Sequence, residues 1–242
     1  MVKDIKLAVL IDGDNIPSKY IKEMMEEIAK YGTPTIKRIY GDWTKPQLGK
    51  WKTILLENAI TPIQQYGYTT GKNATDSAMI IDAMDILYSN NVDGFCLVSS
   101  DSDFTRLATR LRESGMQVYG IGEKKTPDPF IVACDKFIYL EILEPYSEIK
   151  DEKGVTKKQN LDKITPKVIK FLKQSVSDAA DEDGWAFLGD VGSLILKKQP
   201  NFDSRNFGFE KLTPLFKSLN QFEIDQRVQS GVRYKLIYVR NK

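Results

Sequence analysis

Four aspartates and one asparagine occur where the sequence could gather oxygen ligands for a metal ion. Asp12 and Asn15 follow an apolar run at residues 7–11, Asp76 opens a helix-like segment, and Asp101 and Asp103 follow a second apolar run at 94–98. Clustered carboxylates repel one another unless a cation lies among them, and all-oxygen sites suit Mg²⁺ or Mn²⁺. Such an ion activates water for attack on a phosphodiester. We therefore predict that the four aspartates are catalytic metal ligands and that Asn15 hydrogen-bonds metal-bound water or phosphate.

The 242-residue chain contains no histidine, which removes several other kinds of catalytic site. Serine and cysteine nucleophiles paired with imidazole are excluded, and so are histidine-ligated zinc and haem. The two cysteines, Cys96 and Cys134, are too far apart for a Cys-x-x-Cys pair. No apolar run approaches the roughly 20 residues that a membrane helix needs. We expect a cytoplasmic protein that does not enter a membrane.

The elements that must position these aspartates alternate between short apolar runs and helix-like segments. Runs that are apolar without interruption indicate strands buried on both faces, and hence a parallel sheet covered by helices on each side. Ligand sites in such sheets lie at the carboxyl ends of the strands, so Asp12 and Asp101 should emerge side by side, with Asp76 facing them. The predicted strands are 7–11, 36–40, 61–65, 94–98, 117–121 and 137–140, and the predicted helices are 18–30, 46–58, 75–88, 103–112 and 129–133.

Each acidic position also has a purely structural explanation. Asp103 could cap the helix that follows it, and Asp76 could be a first-turn acid favoured by the helix dipole. Asp14 is expected to satisfy backbone donors in a tight turn. Asp82 lies six residues beyond Asp76, about 240° round the helix, and cannot share its face.

Three acidic motifs then occur in a fixed order: VLIDGDN at 9–15, TDSAMIID at 75–82 and LVSSDSDF at 97–104. On these motifs the chain resembles, over about residues 5–143, the NYN domain, a branch of the PIN-like nuclease superfamily. The resemblance implies a PIN-like α/β fold and metal-dependent ribonuclease activity. It also implies that Asp12, Asp76, Asp101 and Asp103 are the family's acidic positions and that Asn15 is its asparagine after the first strand. Some members of the family are regulatory or weakly active.

The charge distribution and a polar segment indicate two domains. Residues 1–144 contain 17 basic and 20 acidic residues (net −3), whereas residues 145–242 contain 18 and 13 (net +5). Residues 145–160 are highly charged and almost without apolar side chains, which is typical of a linker. We predict a nuclease domain at 1–144, a linker at 145–160 and a second domain at 161–242.

The second domain has the element order of a small winged-helix α+β domain, three helices and then a hairpin. A helix should begin at Thr165-Pro166, and two more are predicted at 188–198 and 209–219, before strands at 222–225 and 233–239. The run DSRNFGFEKL at 203–212, followed by Leu215-Phe216, resembles the OST-HTH (LOTUS) domain over about residues 161–240. That resemblance implies RNA binding or protein contacts.

Basic and aromatic residues near the predicted site are candidates for holding RNA. Lys72 precedes Asp76 by four residues in a glycine-containing loop and could contact phosphate, while Trp43 could stack on a base. Trp51 is expected in the core. The candidate RNA contacts are Lys72, Arg38, Trp43 and Lys50 in the first half and Arg205 and Lys211 in the second.

The sequence leaves three functions open. The first is a Mg²⁺- or Mn²⁺-dependent ribonuclease that cleaves single-stranded RNA and has a C-terminal RNA- or protein-binding module. The second is a catalytically weak RNA-binding adaptor with the same folds. The third takes Asp12-Gly13-Asp14 as the Asp-x-Asp nucleophile of a haloacid-dehalogenase-like phosphatase, in whose pattern Asp76 has no place.

Overall fold

Six parallel strands form one sheet in the first half of the chain, in the spatial order β3-β2-β1-β4-β5-β6. The computed structural model describes residues 4–66, 74–143, 149–150, 156–157, 161–228 and 235–242. The strands are β1 (Lys6–Asp12), β2 (Thr33–Gly41), β3 (Thr61–Gln64), β4 (Gly94–Val98), β5 (Gln117–Gly122) and β6 (Lys136–Tyr139). The predicted α/β fold with a parallel sheet is confirmed.

Within the described residues, five helices cover the two faces of this sheet, which explains the uninterrupted apolar runs of β1 and β4. Alternate residues of β1 enter opposite cores: Ala8 and Leu10 pack into one cluster, and Val9 and Ile11 into the other. The first cluster includes residues of α3, α4 and α5, and the second includes residues of α1 and α2. The helices are α1 (Ile21–Ile28), α2 (Trp51–Asn58), α3 (Ala74–Ser89), α4 (Thr105–Glu113) and α5 (Asp128–Ala133).

The predicted helices differ from the observed ones mainly at their first turns. The segments Ser18–Tyr20, Pro46–Lys50 and Ser102–Phe104 are 3₁₀ turns that lead into α1, α2 and α4, and another 3₁₀ turn, Leu140–Ile142, follows β6. The tighter 3₁₀ geometry is common at helix ends. Trp51 begins α2 and is 3% exposed, as expected of a core residue.

The chain divides into two compact units, Met1–Ser147 and Glu148–Lys242. The predicted linker at 145–160 spans this division, and most of its residues lie outside the described part of the chain. It contains two short antiparallel strands, β7 (Ile149–Lys150) and β8 (Thr156–Lys157), which the sequence did not predict. Among the described residues, no helix combines the length and apolar character that crossing a membrane requires.

The second unit packs three helices against a small antiparallel sheet of order β10-β11-β9. Its core includes Leu172, Val176, Ile195, Leu215 and Phe216. The elements are α6 (Pro166–Ala179), β9 (Ala186–Phe187), α7 (Leu188–Lys198), α8 (Leu212–Lys217), β10 (Phe222–Val228) and β11 (Lys235–Asn241). The predicted helix–hairpin order is confirmed, with β9 as an addition.

The third helix of this unit is shorter than the predicted segment 209–219. A 3₁₀ turn at Ser204–Phe207 ends at Gly208, whose φ of 83° is left-handed and suits glycine. Lys211, with φ −140° and ψ 160°, is extended and becomes the N-cap, so α8 begins only at Leu212. At the start of α6, Thr165 Oγ1 accepts a hydrogen bond from Val168 N at 3.4 Å, as the Thr-Pro signal predicted.

Candidate active site

Asp12 and Ser99 stand level with each other at the carboxyl ends of the two central strands. In the parallel pair β1–β4, Ile11 is opposite Val98, so the next residue of each chain segment leaves the sheet at the same edge. Ser99 Oγ donates a hydrogen bond to Asp12 Oδ2 at 2.8 Å, and Asn15 Nδ2 donates to the same oxygen at 2.7 Å. The sequence motif therefore places Asp12 at the sheet edge and holds one of its two oxygens.

The second oxygen of Asp12 is buried and has no hydrogen-bond partner among the described residues. The residue is only 1% exposed, and its burial raises the pKa of the carboxyl group. A buried carboxylate oxygen without a partner is costly unless a cation approaches it. This atom fits the predicted divalent cation.

Asp76, Asp101 and Asp103 converge at the same edge, each offering a carboxylate oxygen within 4.8 Å of the other two. Asp76 lies in the first turn of α3, and the other two flank the start of the 3₁₀ turn after β4. Asp101 Oδ1 accepts from Asp103 N at 2.9 Å, so Asp101 is itself a cap and the structural role expected of Asp103 falls to its neighbour. The two aspartates face Asp76 across the edge of the sheet.

Burial and the negative charge of this cluster both act on Asp76. Its pKa is raised to about 6, first by burial and then by the charges of Asp12, Asp101, Asp103 and Asp14. Within the described residues no lysine or arginine forms an ion pair with Asp12, Asp76 or Asp101. An all-oxygen donor set is the kind that Mg²⁺ and Mn²⁺ prefer, so the side chains fit the predicted ion.

Ser99 is a site residue that the sequence analysis missed. It is fully buried, donates to Asp12 Oδ2, and accepts a hydrogen bond from Asp101 N at 3.1 Å. One hydroxyl therefore connects the two strand ends. The sequence signal that could have identified Ser99 is its place as the first polar residue after the apolar strand β4. Because β4 pairs in parallel with β1, this position is level with Asp12.

The remaining acidic residues near the site are held by other partners. Asp14 accepts from Thr75 Oγ1 at 3.1 Å, and its other oxygen lies 3.9 Å from Lys45 Nζ. Asp82 is on another side of α3, where it is contacted by Arg38 and Tyr40. Burial and the neighbouring Asp82 raise the pKa of Tyr40, which stays a hydrogen-bond donor.

The candidate RNA contacts in the first unit fall into two groups. Arg38 is engaged by Asp82, and Trp43 donates its indole N–H to Ile63 O at 3.0 Å while packing against the core on the α2 side. Lys50 ends the 3₁₀ turn before α2, with its side chain outside the described part of the chain. Lys72 lies outside the described residues. Their role in RNA binding stays a prediction.

In the second unit, Arg205 and Lys211 differ in what surrounds their charge. Arg205 forms a two-point contact with Asp203, from Nε at 3.0 Å and from Nη2 at 2.7 Å. Lys211 is exposed at the N-cap of α8. The Arg205 guanidinium is therefore neutralised within its own loop.

Comparison with known proteins identifies both units. The family model of the NYN domain matches residues 6–141, and that of the OST-HTH/LOTUS domain matches residues 159–234. An uncharacterized protein of Methanocaldococcus jannaschii is 26% identical over 121 residues, which are 48% of this chain and 47% of that protein. The chain thus spans about half the length of the curated relative it matches.

Two solved structures are also similar to the chain. A protein of unknown function from Vibrio parahaemolyticus is 20% identical, with 57% of this chain and 93% of that chain covered and a TM-score of 0.47. An uncharacterized protein from Nitrosomonas europaea is 30% identical, with 41% and 90% covered and a TM-score of 0.31.

The NYN match includes the whole acidic cluster and leaves the phosphatase alternative without support. Because that match covers more than half of the 242 residues, the chain belongs to the NYN-domain family of PIN-like nucleases, with an OST-HTH/LOTUS domain following the nuclease-like unit.

Proposed function

We propose that the protein is a Mg²⁺- or Mn²⁺-dependent ribonuclease that hydrolyses phosphodiester bonds in single-stranded RNA. The observation that carries the proposal is the meeting of Asp76, Asp101 and Asp103, with Asp12 near enough for its charge to help raise the pKa of Asp76. These carboxylates come from β1, α3 and the turn after β4, so only the folded sheet assembles them. Membership of a PIN-like nuclease family supports the same chemistry.

Some side chains would bind the ion and others would orient the side chains that bind it. Asp76, Asp101 and Asp103 would be its carboxylate ligands, and Asp12 would offer Oδ1 directly or through water. Ser99 and Asn15 hold Oδ2 of Asp12 and so fix the direction of Oδ1; on this basis Asn15 is a positioning residue. A bound Mg²⁺ or Mn²⁺ supplies a water of lowered pKa and stabilises charge on the leaving oxygen.

The second unit would bring RNA to this site. The OST-HTH/LOTUS domain is an RNA-binding module, and residues 145–242 carry a net charge of +5 that suits a polyanion. The first unit carries a net charge of −3 and has little general attraction for RNA. Binding of RNA by the second unit would compensate for this weak attraction.

The test compares two single-charge substitutions during cleavage of labelled single-stranded RNA with Mn²⁺. Asp101→Asn should lower the cleavage rate by at least about 100-fold, because it removes a metal ligand and not merely a residue that orients one. Asp85→Asn, an exposed change on α3, is the matched control and should leave the rate unchanged. If wild type and Asp101→Asn are equally inert, the nuclease proposal fails.

A further inference from the structure

A groove of about 490 Å³ runs along α6 in the second unit. Six of its lining residues repeat at helical spacing and form one stripe of α6: Pro166, Ile169, Lys170, Lys173, Gln174 and Ser177. The opposite wall is formed by Gln221, just before β10, and Asn241, the last residue of β11. The groove therefore lies between one helix and the ends of two paired strands.

The walls of this groove are joined by hydrogen bonds. Asn241 Nδ2 donates to Lys173 O at 3.0 Å and to Ser177 Oγ at 2.9 Å, which ties the end of β11 to the middle of α6. Lys242 N donates to Gln221 O at 3.0 Å and holds the residue before β10 against the end of the chain. The shape of the groove is thus built into the fold of the unit.

Among the described residues, some positive charges of this unit are paired with carboxylates, and those in the groove are not. Arg205 pairs with Asp203, Arg227 with Asp225, Arg240 with Glu223, and Lys198 with Asp178. Lys170 and Lys173, by contrast, pair with no carboxylate in the part of the chain that the structure describes. Their charge remains available to an anionic ligand.

We propose that this groove binds the phosphodiester backbone of single-stranded RNA. Lys170 and Lys173 lie one helical turn apart on the same face and contact two phosphates. The amide of Gln221 and the hydroxyl of Ser177, which both donate and accept hydrogen bonds, contact ribose hydroxyls or base edges. The net charge of +5 on residues 145–242 favours a polyanion as the occupant. The inference rests on the proposed recruitment of RNA by the second unit.

Binding is measured on the full chain in EDTA, so that cleavage does not interfere, by fluorescence anisotropy with a labelled oligouridylate. The variant Lys170→Gln/Lys173→Gln should bind about tenfold or more weakly. Its plot of log affinity against log salt should be shallower by about 1.4, since each lost phosphate contact on a single strand accounts for ~0.7. The matched control is Lys197→Gln/Lys217→Gln, which changes two exposed lysines that do not line the groove and should bind as wild type does.

Three results would overturn the assignment. The groove variant could bind as tightly as wild type, or both double variants could weaken equally, which would indicate diffuse attraction. A polyglutamate peptide of equal charge could also compete as well as unlabelled RNA, which would indicate general anion or peptide binding.

The cleavage assay with Asp101→Asn is read separately. Weak binding by the groove variant together with an inert wild-type enzyme supports the groove and rejects the nuclease. Metal-dependent cleavage by wild type, together with unchanged RNA binding by the groove variant, supports the nuclease and rejects the groove.

Discussion

Two aspartates six residues apart on α3 have opposite environments. Asp82 is contacted by Arg38 and Tyr40, and its charge is balanced inside the fold. Asp76 faces other carboxylates, and its pKa is raised to about 6. Asp82 thus stabilises the folded structure on one side of the helix, whereas the charge of Asp76 destabilises it on the other. An unbalanced charge that the fold retains marks where a ligand is needed.

The largest effect on stability is expected from removing Asp82, whose charge is balanced by Arg38. Asp82→Ala should lower the free energy of unfolding by about 2 kcal/mol, because it leaves the half-buried Arg38 guanidinium without its partner. Urea denaturation measures this, with the exposed Asp85→Ala on the same helix as control. A loss no greater than that of the control would mean that the Arg38–Asp82 pair contributes nothing to stability.

Removing the charge of Asp76 should change the free energy of unfolding in the opposite direction. In metal-free protein at neutral pH, Asp76→Asn should raise the free energy of unfolding by about 1.5 kcal/mol, since it removes a charge that burial and four carboxylates disfavour. Denaturation in EDTA checks this. Lower stability of the variant would contradict the electrostatic description of the cluster.

The pH dependence has a defined sign. Between its ordinary pKa of 3.8 and the folded value of about 6, Asp76 keeps in the folded state a proton that the unfolded chain has lost. The contribution of Asp76 to metal-free stability should therefore fall as pH rises through this window, and should level off above it. In Asp76→Asn this component of the pH profile should be missing.

The smallest effect concerns the hydroxyl that joins the two strand ends. Ser99→Ala removes the donor to Asp12 and the acceptor for Asp101 N, so both carboxylates lose orientation. Affinity for Mn²⁺ should fall about tenfold, in the range seen for residues that orient metal ligands. Added Mn²⁺ should then restore much of the cleavage rate, whereas Ser102→Ala, at an exposed neighbour, should need no extra metal. A rate in Ser99→Ala that saturating Mn²⁺ does not raise would show that Ser99 acts on something other than metal affinity.

The sequence predicted the elements of the fold well because most of their signals are local. Uninterrupted apolar runs marked β1 and β4, and the rule for parallel sheets predicted that the residues after these two strands would meet at one edge, although Ser99 and not Asp101 stands level with Asp12. The Arg38–Asp82 pair joins residues 44 apart in sequence, and only the assembled β2 and α3 bring them together. Two-residue β9 is too short for any periodic signal.

Direct binding of Mn²⁺ to the full chain at neutral pH, followed by the electron paramagnetic resonance signal of the free ion, tests the central claim. Wild type and Asp85→Asn should both bind the ion, and Asp76→Asn and Asp101→Asn should each lose most of that binding. Equal binding by wild type and the two site variants would contradict the assignment of this cluster as the metal centre.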